Sequence, residues 1–591
     1  MKRRVVSLCL ILCMALSVFA LASCGQSGGA EATATESGAA STTTPSATAG
    51  TTKAAQTDGT ATGTATETAI ETTAETTADK WDDLAPKVTM IAERDRKLKI
   101  EYSVKKSAEK GSKNDIYVAG PDTVEDGVTP LIQQMVYERN RAACEKLATT
   151  IEYVEWNFTY GEQAPQIDLV VKGNDADAPD LFINMIYDLN NELVNSTFRD
   201  VWSIPNSFFD FSEEGWFSAW MENMSFTGDR AYILASDYFI DVLRAMALLP
   251  FNMTMMDENA AKLAPAVLGD DETIGAGEAL TTYFFDLVEE GDWTWEVLGK
   301  LCEAIWEDAD NSGGDSIGDR LGIIADEYGG INAAGFIYSC GEQLTLAYTI
   351  EDESSAYNGK QWIKYADTSA GLNSIFNAVK GVFEGPGSLS TSYTFSGNTP
   401  EKPGSAYHHT KFASSELLFG GVCLLGTLED VTFQTMTDLF SVVPCPKTDV
   451  LNDYNTIIVN QGDAGAMNVN SNPRKARVLS AFLQYCTEHS SEIREMVLQT
   501  VTKYKTTTYN QGTDRMLDII YDGVIYGRDK TVDDLVGGDR WHSVMKGQHF
   551  VAGSDYIVSQ YESLRQSKQA QLDNYMKKWY TLPKVEPAKA E

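Results

Sequence analysis

The chain has 591 residues and a formal net charge of −37 at neutral pH. Nucleic acids and anionic lipid surfaces attract basic proteins, so this charge argues against nucleic-acid binding and against lying flat on anionic lipid. About 500 residues from Trp81 onward are mixed in charge and rich in aromatics, glycine and proline. That length is too great for one hydrophobic core and predicts two or more domains.

The N-terminus has the pattern of a secretory signal. The basic residues Lys2 to Arg4 precede an apolar run from Val5 to about Ala20. This run is too short for a comfortable membrane span and ends in small residues. Leu21-Ala22-Ser23-Cys24 resembles the lipobox of bacterial lipoproteins. The resemblance implies that residues 1–23 are removed and that the Cys24 thiol carries a diacylglycerol. The alternative is an ordinary signal peptide that contains a cysteine.

The segment after Cys24 is a predicted linker. Residues 25–79 are almost entirely Thr, Ala, Ser, Gly and Glu, with no aromatic residue and Ile70 as the one large aliphatic. Such a composition cannot bury enough apolar surface to offset the entropy of ordering the chain. As a flexible coil of about 55 residues it has a mean reach of roughly 40 Å. We therefore expect residues 24–84 to be the lipidated cysteine and a disordered linker.

Strand and helix patterns alternate in the first part of the folded region. TIEYVEWNF (150–158) alternates as a strand does, and DLFINM (180–185) is a buried strand that follows a helix end in IDLVVKG. ALLPFNM (247–253) is a further strand, and GDWTWEVLGKLCEAIWED (291–308) is a helix capped by Thr294. This order predicts an α/β fold with mainly parallel sheets covered by helices.

The second half carries weaker signals. Residues 351–410 are polar and glycine-rich, which predicts long loops. In SNPRKARVLSAFLQYC, Asn472 is a predicted helix cap and Pro473 the first helical residue. A C-terminal helix is expected from about Asp555 to Trp579.

Six cysteines follow Cys24, widely scattered. Three of them fall on the apolar stripes of predicted helices, which favours buried free thiols, although an even number outside the cell permits disulfides. The six are Cys144, Cys302, Cys340, Cys423, Cys445 and Cys486.

An acidic loop, DADNSGGDSIGD (308–319), is a calcium candidate. Asp308, Asp310, Ser312 and Asp319 occupy positions 1, 3, 5 and 12 of an EF-hand-like loop around a glycine turn. Asp315 stands where an aliphatic residue is usual, and position 12 is usually Glu. The alternative is a solvated acidic turn, and no cofactor is required in either case.

Several segments, in order across about residues 125–525, are similar to the extracellular solute-binding proteins of bacterial ABC importers, of the carbohydrate-binding family 1 type. These segments are VYERNRAACEKL (136–147), DLFINMIYDLNNELV (180–194), GDRAYILASDY (228–238), ALLPFNMTMM (247–256), DLVEEGDWTWEVLGKL (286–301), DNSGGDSIGDRLGI (310–323), LLGTLEDV (424–431), FSVVPCPK (440–447) and YNQGTDRMLDII (509–520).

The resemblance implies a two-lobed, type II periplasmic-binding-protein-like α/β fold with hinge strands and a ligand cleft between the lobes. It implies that lobe 1 holds residues 85–234 and 447–495, and that lobe 2 holds residues 235–446 and 496–591. Chain crossings are expected near 233–235, near 443–446 and after about 495.

The implied function is that of a non-enzymatic, monomeric binding protein. It would be lipid-anchored on the extracellular face of the membrane, capture a sugar or oligosaccharide, and deliver it to the transmembrane permease subunits. No P-loop, HExxH, GxSxG or strand-associated GxGxxG motif is found. The alternative is a surface lipoprotein that binds polysaccharide or hydrolyses glycosides.

Site residues are also implied by the resemblance. A sugar site needs flat aromatics and a few rigid polar side chains. Trp216 and Trp541 are the expected stacking residues, whereas Trp293 and Trp295 are expected to be structural. The other expected ligand contacts are Asn184, Tyr187, Asp237, Tyr238, Tyr338, Glu342 and Glu429.

Overall fold

The computed structural model of this chain covers its folded region. The chain from Lys80 to Glu591 forms one compact unit. The predicted signal peptide, Cys24 and most of the linker lie outside the described residues, as do Glu342 and Trp541. The described residues are 79–105, 118–120, 124, 129–158, 161–175, 177–269, 273–326, 331–341, 343–367, 370–391, 407–503, 511–536 and 554–583.

The strands form two mixed sheets and one hairpin. In chain order they are β1 (Lys97–Lys105), β2 (Thr150–Phe158), β3 (Leu181–Met185), β4 (Ile233–Leu234), β5 (Ala247–Asn252), β6 (Leu321–Asp326), β7 (Thr345–Thr349), β8 (Gln361–Tyr365), β9 (Ser388–Thr391), β10 (Leu417–Phe419), β11 (Cys423–Leu424), β12 (Phe440–Val443) and β13 (Asp463–Met467). The first sheet has the order β2-β1-β3-β13-β4. The second has the order β11-β5-β10-β6-β9, with β12 also paired to β5, and β7 pairs with β8.

The α-helices cover these sheets. In chain order they are α1 (Lys80–Thr89), α2 (Leu131–Leu147), α3 (Gln163–Lys172), α4 (Ile186–Glu192), α5 (Ser218–Met224), α6 (Ile240–Arg244), α7 (Met253–Glu258), α8 (Ala260–Leu268), α9 (Leu280–Glu289), α10 (Trp295–Ile305), α11 (Ile331–Tyr338), α12 (Ala370–Glu384), α13 (Tyr407–Ala413), α14 (Val431–Gln434), α15 (Pro473–Glu488), α16 (Ser491–Lys503), α17 (Gln511–Asp522), α18 (Arg528–Val536) and α19 (Ser554–Thr581). A 3₁₀ helix at Leu425–Glu429 follows β11.

Two chain segments connect the sheets. Residues 235–246 run from β4 in the first sheet to β5 in the second, and residues 444–462 run back from β12 to β13. We call the first sheet with its helices lobe 1 and the second sheet with its helices lobe 2. The two connections are called the first and the second crossing. The predicted α/β fold with two sheet-centred lobes is confirmed. The prediction of mainly parallel sheets is wrong, because β13 pairs antiparallel with β3 and β4, and β5 pairs antiparallel with β10, β11 and β12.

Local sequence signals explain several elements. All five residues of β3 are buried, as expected for a central strand covered on both faces. Thr294 caps α10, and the Asn472 side chain accepts a hydrogen bond from the Arg474 N–H at the start of α15. Trp293 and Trp295 are buried, and the Trp293 indole donates to the Pro444 carbonyl oxygen at 2.9 Å. Both tryptophans are therefore structural, as predicted.

The prediction of long loops over 351–410 is wrong for its described part. This region contains β8, α12, β9 and the start of α13. In α12 the apolar side chains of Ile375, Phe376, Val379, Val382 and Phe383 are buried. They recur at helical spacing, so the core contact outweighs the polar composition of the segment.

The cysteines of the folded region are unpaired, as predicted. The six cysteines after Cys24 are free thiols, five buried and Cys144 partly buried. Among the described helices, none is both long and apolar enough to cross a bilayer.

The C-terminal helices contact both lobes. Helix α18 packs against α4 and α5 of lobe 1 and against α11 of lobe 2. Helix α19 packs against β8 and α12, and its Trp579 ring lies against Phe226 and Tyr232 of lobe 1. These helices therefore tie the lobes together.

Candidate functional site

A pocket of about 220 Å³ lies where the chain crosses between the lobes. Its walls come from α6 in the first crossing, from β11 and the following 3₁₀ helix in lobe 2, and from the end of the second crossing. The lining residues are Asp241, Arg244, Ala245, Leu424, Gly426, Thr427, Gln461 and Gly462. Ligand pockets for drug-sized molecules span roughly 300–1,000 Å³, so this one suits a small polar ligand or one end of a longer one.

Arg244 organises the charge of the pocket. Its Nη1 donates to Asp241 Oδ1 at 2.6 Å, one helical turn away. Its Nε and Nη2 donate to Glu429 Oε1 and Oε2 at 3.1 and 3.3 Å, which is a forked, two-point ion pair. The three side chains are 15–18% exposed, so they remain in contact with solvent in the pocket.

Two glycines allow the walls to approach. A Cβ on Gly426 would lie 3.1 Å from the Arg244 Cβ and 3.3 Å from its Nε and Nη2. A Cβ on Gly462 would lie 2.5 Å from the Ala245 Cβ. The sequence therefore brings the 3₁₀ helix and the second crossing directly against α6.

Of the expected ligand contacts, Glu429 lies at this pocket through its ion pair with Arg244. Asn184 and Tyr187 lie at the adjoining edge of lobe 1. Asn184 is fully buried and donates from Nδ2 to Glu101 Oε2 at 2.6 Å. Tyr187 is half-buried, and its backbone N–H donates to the Asn460 carbonyl oxygen in the second crossing at 3.0 Å.

Trp216 lies in an aromatic cluster of lobe 1. Its ring contacts Phe209 and Phe211 with centroids 5.4 and 5.0 Å away, and its indole N–H donates to Gln484 Oε1 at 3.0 Å. The side chain is 7% exposed. In this conformation the ring packs within lobe 1, and its stacking on a sugar stays a prediction.

Asp237 and Tyr238 follow β4 in the first crossing, and both are buried. Asp237 forms an ion pair with Arg494 of α16 at 3.1 Å and accepts a hydrogen bond from the Tyr521 hydroxyl at 3.0 Å. The Tyr238 ring lies under the Arg139 guanidinium at 4.8 Å, and burial raises the pKa of its hydroxyl. These two side chains are thus held by partners on α2, α16 and α17.

Tyr338 contacts α18, the helix that packs against both lobes. Its hydroxyl donates to Asp533 Oδ2 at 2.8 Å, and burial raises its pKa, with the Asp533 charge adding to the effect. Five of the nine residues of α18 are charged, yet every one except the half-buried Asp529 is buried. The Tyr338 hydroxyl of lobe 2 satisfies Asp533, and Asn460 in the second crossing donates to Asp534 at 3.0 Å. Asn190 of lobe 1 contacts the helix through the uncharged Thr531, to which it donates at 3.4 Å.

Sequence reasoning missed Asp241, Arg244 and the charged residues of α18. Arg244 carried a usable signal, since Asp241 and Arg244 are spaced for a helical ion pair immediately before the buried strand ALLPFN. The sequence of α18 alone indicates a solvent-exposed charged helix, because the residues that bury its charges lie far away in sequence.

The acidic loop brings its carboxylates together. One oxygen each from Asp308, Asp310 and Asp319 lies within 4.8 Å of the others. Oxygen ligands of this kind suit Ca²⁺. The carboxylates also serve the loop itself, because buried Asp319 accepts the backbone N–H groups of Ala309 and Ser316 at 2.9 and 2.7 Å. The pKa of Asp310 is lowered, chiefly because its carboxylate accepts a hydrogen bond from the Ser316 hydroxyl.

Calcium binding at this loop stays a prediction. We expect Ca²⁺ to raise the melting temperature, since a ligand at 100 times its Kd stabilises by about 2.7 kcal/mol. Asp310→Asn should abolish the shift. Asp352→Asn is the matched control, because Asp352 accepts hydrogen bonds from Ser354 in an exposed turn elsewhere. An unchanged melting temperature of the parent protein with Ca²⁺ would contradict the site.

Comparison with known proteins gives structural likenesses at low identity. No protein-family model matches the chain, and no curated protein sequence matches it. An uncharacterised protein of Listeria monocytogenes aligns with a TM-score of 0.47 at 9% identity, covering 80% of this chain and 99% of that one. The cyclic α-maltosyl-1,6-maltose binding protein of Arthrobacter globiformis aligns with a TM-score of 0.46 at 11% identity, covering 81% and 99%.

A third neighbour is the galacto-N-biose/lacto-N-biose I-binding protein of an ABC transporter from Bifidobacterium longum. It aligns with a TM-score of 0.44 at 11% identity, covering 81% of this chain and 98% of that one. Sugar-binding proteins recur among these neighbours.

Proposed function

We propose that this chain is the substrate-binding protein of an ABC importer and holds a sugar or oligosaccharide between its lobes. The observation that carries the proposal is the pocket built jointly by both crossings and by lobe 2. A ligand there contacts the segments whose backbone angles change when two lobes close by a hinge motion. Binding and closure are thereby coupled, as delivery to a permease requires.

Polar groups in the pocket suit a hydroxylated ligand. Carboxylate oxygens of Asp241 and Glu429 accept hydrogen bonds from hydroxyl groups, and Thr427 and Gln461 can both donate and accept. Tyr187 lies at the adjoining edge of lobe 1, where its backbone N–H bonds to Asn460 of the second crossing. The polar side chains and this aromatic ring are the kinds of contact that a sugar ring needs. The family resemblance also implies stacking by Trp541, which lies outside the described residues.

The proposed location follows from the N-terminal sequence. Cys24 would carry the lipid and residues 24–84 would form the tether, which places a monomeric receptor on the extracellular face of the membrane beside its permease. Two acyl chains on the glyceride suffice for stable anchoring.

Hydrolysis of glycosides is the competing function. It requires a pair of carboxyl groups, one of which delivers a proton to the leaving oxygen. Asp241 in the pocket wall and Glu429 beside it instead accept hydrogen bonds from the same Arg244 guanidinium group. This arrangement favours binding over hydrolysis.

A thermal-shift screen of the full-length protein against mono- and oligosaccharides tests the proposal. We expect at least one sugar to raise the melting temperature, because a ligand that binds only the folded form stabilises it. Arg244→Gln should remove the ligand-induced shift. Arg320→Gln should retain it, since Arg320 pairs with exposed Glu307 outside the pocket. Release of free sugar from a polysaccharide, or no shift with any sugar, would contradict the proposal.

A further inference from the structure

We propose that α18 is a latch that stays with lobe 2 and docks reversibly on lobe 1, so that the lobes open by parting α18 from lobe 1. The inference concerns the protein without any ligand and stands apart from the proposed sugar binding. Helix α18 contacts α4 and α5 of lobe 1 and α11 of lobe 2. The hydrogen bonds that it makes to the two lobes differ in kind, and this difference decides which contact breaks first.

The contact of α18 to lobe 2 uses the charged groups of the helix. Asp529 accepts the backbone N–H groups of Leu344 and Thr345 at 2.6 and 2.9 Å. Arg528 Nη2 donates to the Thr345 carbonyl oxygen at 3.1 Å and to Gln343 Oε1 at 3.0 Å. These partners lie at the start of the β7–β8 hairpin, between α11 and α12. Hydrogen bonds to ionised groups are roughly twice as strong as neutral ones, so this side holds α18 firmly.

The hydrogen bonds from α18 to lobe 1 join uncharged groups. Asn223 Oδ1 on α5 accepts the Arg528 backbone N–H at 2.8 Å, at the start of the helix. The Thr531 hydroxyl accepts from Asn190 Nδ2 on α4 at 3.4 Å and donates to the Met224 sulfur at 2.8 Å. Each such neutral bond contributes only about 1 kcal/mol, because water replaces it when the partners separate. The lobe 1 side is therefore the one that parts at the lower cost.

The fit between α18 and lobe 1 leaves polar atoms unmet. Asn190 Oδ1 and Trp220 Nε1 are buried without a hydrogen-bond partner among the described residues. The indole lies directly against the chain that enters α18, since a Cβ on Gly527 would lie 2.3 Å from Trp220 Nε1. A buried donor or acceptor without a partner is unfavourable, and water relieves it once the surface is exposed. Opening on this side therefore hydrates two atoms that the docked state leaves unsatisfied.

A second contact between the C-terminal helices and lobe 1 is apolar. Trp579, at the end of α19, is 1% exposed and packs on Phe226 and Tyr232 of lobe 1. The adjacent Tyr580 hydroxyl donates to the Gln361 carbonyl oxygen of β8 at 2.6 Å. Parting the tryptophan would expose a large apolar surface to water, which is unfavourable. We expect this contact to persist as the fixed point while α18 separates from lobe 1.

Hydrogen exchange of the full-length protein without ligand, resolved to single amides, tests the latch. Thr531→Val removes the hydroxyl contact to lobe 1 and keeps the side-chain shape, and Asn190→Ala removes the same contact from the other side. The readout is the Arg528 amide, which Asn223 holds and which neither substitution touches. In each variant it should exchange about three- to tenfold faster, the ratio that follows from losing one hydrogen bond. Thr435→Val is the matched control, because the Thr435 hydroxyl donates to the Val431 carbonyl oxygen in a short helix of lobe 2.

The amides of Leu344 and Thr345 show which lobe keeps the helix, because Asp529 holds both of them. Faster exchange at Arg528 with parent rates at Leu344 and Thr345 supports a latch that stays with lobe 2. Equal acceleration at all three amides overturns it, since α18 would then leave both lobes together. An unchanged Arg528 rate in both variants also overturns it, because the contacts to lobe 1 would then not open as a unit.

Discussion

Arg494→Met is expected to destabilise the protein by about 3–5 kcal/mol, because it leaves the Asp237 carboxylate buried without its cation. Asp237 is 1% exposed and contacts Arg494 at 3.1 Å. The Tyr521 hydroxyl donates to Asp237 at 3.0 Å, and Arg494 also pairs with Glu214 at 2.8 Å. Gly215, with a φ of 90°, brings its own backbone beside the same carboxylate. The network joins the first crossing to α16 and α17.

The stability lost in Arg494→Met should depend on pH. Burial raises the pKa of Asp237 to about 7, while Arg494 and Tyr521 pull it down. Removing Arg494 takes away the main attraction and raises the pKa of the folded state further above its unfolded value near 3.9. A carboxyl with a raised folded pKa contributes most at low pH and loses stability as pH rises. The variant should therefore be less impaired at pH 5 than at pH 8.

Urea unfolding measures the interaction free energy between Asp237 and Arg494. It is applied to the parent, to Arg494→Met, to Asp237→Asn and to the double variant. The double variant should recover part of the loss, since it no longer buries a charge. Arg515→Met is the surface control, because Arg515 pairs with half-exposed Asp286 and Glu289, and such pairs contribute about 1 kcal/mol or less. Equal losses in Arg494→Met and Arg515→Met would show that Asp237 does not depend on its partner.

The sequence predicted those elements whose signals are local. β2, α10 and α15 carry alternation, helical spacing and capping residues within a few positions of one another, and the structure has them where expected. Helix α12 departs from the predicted loops because five apolar residues recur at helical spacing within a segment whose overall composition is polar.

The candidate site was harder to predict because it is assembled from distant residues. Arg244 and Glu429 are 185 positions apart, and no local pattern links them. The buried charges on α18 have partners that are distant in sequence, such as Tyr338 for Asp533 and Asn460 for Asp534. Glu429 was expected from the family resemblance alone, and its ionic partner could be found only from the fold.

The stability of lobe 1 is expected to fall as pH rises through the titration of Glu101, and Glu101→Gln is expected to remove this dependence. Glu101 lies on β1 and is fully buried beside Asn184 of β3, whose Nδ2 donates to Oε2 at 2.6 Å. Burial raises the pKa of this carboxyl well above its usual value, and the nearby charge of Asp463 adds to the shift.

Two buried oxygens explain why protonation of Glu101 affects stability. Glu101 Oε1 and Asn184 Oδ1 are both buried without a hydrogen-bond partner in the part of the chain that the structure describes. A proton on Oε1 would provide a donor facing the amide, so that acid and amide could satisfy each other in a cyclic pair. Such a pair stabilises the neutral form and leaves the ionised form with a buried charge and an unmet acceptor.

Denaturant unfolding at pH 5, 7 and 9 tests this account. The pKa of Glu101 is higher in the folded protein than its unfolded value near 4.3. Its contribution to the free energy of unfolding is therefore complete below about pH 4. As the pH rises, this contribution falls by about 1.4 kcal/mol per pH unit until the folded pKa is reached. Glutamine is neutral and nearly the same shape, and its amide N–H can donate to Asn184 Oδ1, so Glu101→Gln should match the parent at low pH and exceed it at pH 9. Glu152→Gln, on the neighbouring strand but exposed beside Lys99, should follow the parent at every pH. A Glu101→Gln variant with the parent's pH slope would mean that Glu101 does not carry the proton.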